Sequence, residues 1–141
     1  MEFNNATNRV KNIKKSGIFT DSYYIGRKSS QFQQSVLANP FILENESKRK
    51  IVVQAYREWL WGILNGQYLQ FKIRNKYNLK IDSRWICPKK EEVIKELDYI
   101  HKNKITLYCW CSPKLCHGHI IIKAANYIYN YYNSPQEVYR Q

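Results

Sequence analysis

Apolar positions recur at helical spacing in three stretches of this chain and gather into short runs elsewhere. In SKRKIVVQAYREWLWGILNG, Val52, Ala55, Tyr56, Trp59, Leu60 and Ile63 fall on one helical face, and Gly66 follows as a stop. Pro88, then Glu91 and Glu92, open a second helix with negative charge at the positive end of its dipole. Val93, Leu97 and Ile100 form its apolar stripe, and Lys102 and Lys104 close it. A third helix is predicted over residues 119–132, with Ile121, Ala125, Ile128 and Tyr132 on one side. Just before it, residues 105–110 read as a buried strand. Residues 10–15 and 22–27 are shorter strand candidates. Ser16-Gly17 and Thr20-Asp21 lie between those two as turn material compatible with a hairpin. Residues 28–46 form a polar loop carrying Asn39-Pro40-Phe41, with Phe41 expected in the core. The pattern over residues 67–86 does not choose between helix and irregular chain with a strand.

Helix, strand, helix in succession predicts an α/β fold: one small Rossmann-like layer domain, a short sheet with helices packed on it, over residues 1–141. A chain of 141 residues buries a real core but has no room for two full-sized domains. No apolar run is long enough to span a bilayer. The N-terminal MEFNNATNRV lacks the layout of a secretion signal. The four cysteines are unevenly spaced, unlike the framework of a small secreted disulfide protein. Cytoplasmic residence with reduced thiols is expected.

Charge narrows the partners. The chain has 23 Lys and Arg against 11 Asp and Glu, a formal net charge of +12. Nucleic acid or a phosphorylated small molecule suits such a surface. The excess is spread along the chain, as solvated lysines would also be, so charge alone does not decide.

The densest chemistry lies in ITLYCWCSPKLCHGHIIIKAANYIYNYY. Three cysteines, two histidines, a Pro and a Gly crowd the connection between strand and helix. A strand delivering cysteines to a helix N-terminus builds a place that can hold an anion or activate a thiol. Taken with YIGR, the NPF loop, Arg49, Tyr56 and Trp59-Leu60, the order leading to LYCWCSPKLCHG resembles the family called domain of unknown function 4326. The likeness covers about residues 8–132. That family occurs in bacteria and bacteriophages, and the resemblance implies a compact α/β domain whose motif residues converge on one site.

The expected site therefore joins Gly26, Arg27, Asn39, Arg49, Cys111, Cys116, His117, Gly118 and His119 as ligand-binding residues. Arg27 at a strand end could clamp a phosphate, Asn39 could read a base or ribose edge, and Gly118 would let a ligand approach the backbone. Arg49 at its helix start is either an anion contact or a solvated helix-end charge. The leading expectation is a module that binds, and in a phage setting sequesters, a nucleotide or nucleotide-derived molecule, without a cofactor. One alternative is an enzyme using Cys116 and His117 on a nucleoside conjugate. It is weakened because no acid sits beside the motifs in sequence; the nearest, Glu96 and Asp98, lie on the preceding helix. Another is a basic nucleic-acid-binding protein, although no recognised signature for that is present. Zinc on Cys109, Cys111, Cys116 and His117 has the right ligand types but not a paired C-x2-C spacing. Cys109 in its apolar strand and the isolated Cys87 read as inert. Trp61 and the tyrosines at 127, 129, 131 and 132 suggest a homodimer surface.

Overall fold

The computed structural model describes residues 10–12, 22–109 and 117–132. Three short strands, β1 (Val10–Asn12), β2 (Ser22–Tyr24) and β3 (Thr106–Cys109), form one sheet in the order β1-β3-β2. Both outer strands run parallel to β3, with Val10 opposite Leu107 and Tyr24 opposite Tyr108. The first two strands therefore do not pair with each other as a hairpin. β3 lies between them, and parallel neighbours cannot be joined by a tight turn. The second strand is also shorter than expected: the ladder stops at Tyr24, and Ile25, Gly26 and Arg27 leave it at its carboxyl end.

Four α-helices supply the other layers: α1 (Arg49–Leu64), α2 (Gln70–Tyr77), α3 (Lys90–Asn103) and α4 (His117–Tyr132). The architecture is α/β. A 3-10 turn (Glu46–Lys48) leads into α1, with Asn45 Oδ1 accepting from the Ser47 N–H at 3.1 Å. All six residues of the predicted α1 stripe are buried. Gly66 ends the segment at φ +77°, a left-handed conformation that glycine adopts without Cβ strain. Ahead of α3 the Glu92 carboxylate accepts the Lys89 N–H at 2.9 Å, and Val93, Leu97 and Ile100 are buried as predicted. Lys104 closes that helix at φ 48°. The unassigned stretch after α1 contains α2, only eight residues long, with Gln70 and Ile73 as its buried positions.

One core joins these elements. Ile25 after β2, Leu107 of β3, Tyr56 and Trp59 of α1, Leu97 of α3 and Ile121 of α4 all belong to it. The loop before α1 is less polar in its setting than in its composition, since residues 37–41 are all buried. Phe41 is 1% exposed, in the core as expected. A backbone bridge between Phe41 and Ile81, and the Asp82 N–H bonded to Pro40 O at 3.0 Å, fasten this loop to the chain after α2. On the outside, Trp61 meets Tyr127 edge to face at 5.0 Å, and Tyr127 stacks on Tyr131. No helix among the described residues is long and apolar enough to cross a membrane.

Candidate functional site

The sheet is parallel, so β2 and β3 release their chains at the same edge, and those motif residues that the structure describes gather there. Arg27 follows β2 directly. Its Nη1 donates to two backbone carbonyls of the loop, Asn39 O and Phe41 O, each at 2.9 Å. Its Nε lies 3.3 Å from the Asp82 carboxylate, and the side chain is 31% exposed. The guanidinium thus ties the strand end, the NPF loop and the segment after α2 into one unit. Asn39 is buried, and its Oδ1 accepts the Phe41 N–H at 2.9 Å, an Asx turn that shapes the loop.

The sequence places no acid beside the motifs, but the fold brings Asp82 to Arg27. The first acid to reach Arg27 comes from 55 positions along the chain, not from Glu96 or Asp98. The Arg84 N–H, then the Arg84 and Arg27 guanidinium groups, hold its carboxyl below the usual carboxylate range. A short-range signal existed in Asp82-Ser83-Arg84, a local turn closed by the Arg84 N–H on Asp82 Oδ1 at 2.8 Å. Nothing local pointed it at Arg27. Glu96 has a different neighbour, Tyr23 of β2, whose hydroxyl is driven above its ordinary range mainly by burial.

His117 opens α4, two residues before the predicted helix start, so His117 and Gly118 belong to the helix itself. Its Nε2 lies 2.7 Å from Ile25 O, and its ring meets Tyr56 edge-on at 4.8 Å. A carbonyl can only accept, so Nε2 carries the proton and Nδ1 keeps the lone pair. Burial pushes the imidazole pKa down to about 4; the Arg27 and His119 charges add to this against the Ile25 bond. The ring is therefore neutral at pH 7 and pins the start of α4 to the end of β2. Tyr56 extends the joint by donating its hydroxyl to Leu37 O at 2.7 Å. Its helical spacing marked Tyr56 as core, without this link to the site. His119 is half-buried in the same first turn, and Gly118 is buried.

Gly26 is required by its neighbour. A methyl group there would collide with the hydroxyl end of the Tyr24 ring. That ring is itself held, stacked on Phe32 at 4.3 Å and donating to Arg27 O at 2.7 Å. Gly26→Ala should therefore cost about 1–3 kcal/mol through displacement of Tyr24. A urea midpoint matching the parent's would show that Tyr24 gives way freely.

Arg49 forks onto Glu46 through Nε at 2.8 Å and Nη2 at 2.7 Å, a local pair at the start of α1. Cys111 and Cys116 lie outside the described residues, as does the rest of the connection 110–116. Among the described residues no group of three His, Cys, Asp or Glu side chains is placed to hold a metal ion. Burial pushes the Cys87 thiol up, keeping it protonated.

Arg27, Asn39, Gly26 and the first turn of α4 are thus brought together around the carboxyl edge of the sheet. Neither the curated proteins nor the solved structures gave a match. A family model does match, covering residues 9–127 and so nearly the whole fold. The chain belongs to the DUF4326 family, a domain of unknown function.

Proposed function

We propose that this protein binds a nucleotide or nucleotide-derived small molecule at the carboxyl edge of its parallel sheet. The observation that supports this reading is the joint of Arg27, the Asn39 loop and the α4 N-terminus beside the adjoining ends of β2 and β3. In Rossmann-like layering, the arrangement this reading assumes, ligands sit outside those strand ends. The positive end of α4 attracts an anionic group, and the partly exposed Arg27 charge adds to it. Phe41 is in the core, so it holds the loop and does not stack on a base. Binding takes place in the cytoplasm without turnover. In a phage-encoded member it sequesters a host signalling nucleotide, a step that leans on the family's occurrence in bacteria and bacteriophages.

The enzyme alternative draws less support. A His117 whose Nε2 is committed to Ile25 O has Nδ1 as its one basic nitrogen, on a ring already neutral at pH 7. The test is a thermal-shift screen of the full chain against mono-, di- and cyclic nucleotides, NAD and ADP-ribose. A true ligand at about 100 times its Kd adds about 2.7 kcal/mol, a rise of several degrees in Tm. Arg27→Gln should abolish the rise, and Cys116→Ser should keep it. Silence from every compound would count against the reading; turnover lost in Cys116→Ser would move it to the enzyme class.

A further inference from the structure

The segment around α2 carries a different chemistry. Residues 67–81 contain four Lys or Arg and no Asp or Glu. Two aromatic rings stand in solvent there: Phe71 is 58% exposed and Tyr68 49% exposed. Neither is loose. The Arg74 guanidinium sits over the Phe71 ring at 5.2 Å from its centroid. The Tyr68 hydroxyl accepts the Lys90 N–H at 3.4 Å, which brings the ring beside the start of α3.

The basic groups of this face fall into two sets. Lys76 and Lys80 are paired with Glu58 and Glu44. Lys72, Arg74, Lys89 and Lys90 make no ion pair among the described residues. Glu91 and Glu92 begin α3 beside Lys89 and Lys90, but the Glu92 carboxylate is turned onto the Lys89 N–H.

We propose that the Tyr68–Arg74 segment, with the Lys89–Lys90 start of α3 that Tyr68 touches, is a docking surface for single-stranded nucleic acid. The rings stack on unpaired bases, and the cations follow the backbone phosphates. Charge complementarity selects a polyanion, and the two rings select one with exposed planar bases over an acidic peptide. A duplex keeps its bases stacked inside and offers these rings nothing. This surface is separate from the nucleotide site, so either assignment can fail alone.

The test is fluorescence anisotropy of the full chain with labelled RNA and DNA oligonucleotides of about 12 nucleotides, single-stranded and duplex. Single strands should bind more tightly than duplex, with affinity falling as salt rises. The RNA and DNA arms identify which nucleic acid is preferred. Phe71→Ala with Tyr68→Ala should weaken single-strand binding about 5- to 150-fold per stacked base lost. Both residues are exposed, so the fold should survive, checked by the melting curve. Lys72→Glu with Lys89→Glu should weaken binding and flatten the salt dependence. The proposal is overturned if single strands do not bind, or if duplex binds equally well. It is also overturned if the aromatic variants bind like the parent while charge reversal alone matters, which is non-specific polyanion contact. Binding of an acidic peptide in place of oligonucleotide overturns it in favour of a protein partner.

Discussion

Trp59→Ala should lower the stability of this fold by about 3–5 kcal/mol, the range for removing a large buried aromatic. Trp59 has no exposed surface and lies at the centre of the core. Its ring meets Tyr56 at 5.6 Å on one side and Trp85 at 5.7 Å on the other. It therefore supports both the helix that touches His117 and the segment that carries Asp82 to Arg27. A domain of this size is held by about 5–15 kcal/mol in all, so the loss takes much of the margin. The indole N–H has no acceptor among the described residues. Trp59→Phe, which deletes that buried donor while keeping a ring, should cost distinctly less than the alanine variant. Urea denaturation followed by far-UV circular dichroism checks both. Equal losses from Phe and Ala would mean that the indole's shape, not burial of an aromatic ring, carries the stability.

How far this fold was legible follows from how local each signal is. The buried faces of α1 and α3 repeat within a few residues, and the periodicity of Val52, Ala55, Tyr56 and Trp59 announced its helix directly. α2 buries just Gln70 and Ile73, so it has no apolar stripe to read. Strand order is a non-local property. Val10 opposite Leu107 and Ser22 opposite Thr106 are pairings that adjacent turn residues could not announce.

The site divides in the same way. Gly26-Arg27, Asn39 and the start of α4 were marked by residue type and by the family likeness, and the structure gathers them. Their contacts were not legible. Arg27 bonds to loop carbonyls, Asn39 to its own turn, and His117 to Ile25 O; all three use backbone atoms that carry no residue-specific signal. Asp82 and Tyr56 entered the site through tertiary contact, one from beyond α2 and one from the middle of α1.

His117 makes the joint between β2 and α4 sensitive to acid. Its pKa is about 4 in the folded protein against an ordinary 6.5, so the unfolded chain binds the extra proton first as pH falls. Stability therefore rises with pH across that window. It is complete above about pH 6.5 and lost progressively towards pH 4. A shift of that size corresponds to about 3 kcal/mol at full burial. Asp82 and Glu58, whose carboxyls are held low, also lose stability in acid, from the ordinary carboxylate range downward, and that loss is common to parent and variant. His117→Gln keeps an N–H donor for Ile25 O and removes the titration. Its stability profile should be flatter than the parent's between pH 4 and 6.5, with the difference between the two constant outside that window. Urea midpoints measured at steps across the window read the difference. Parallel profiles would mean that the ring is not neutral in the folded state. Protonation at Nδ1 leaves Nε2 donating to Ile25 O but brings a buried cation beside Arg27.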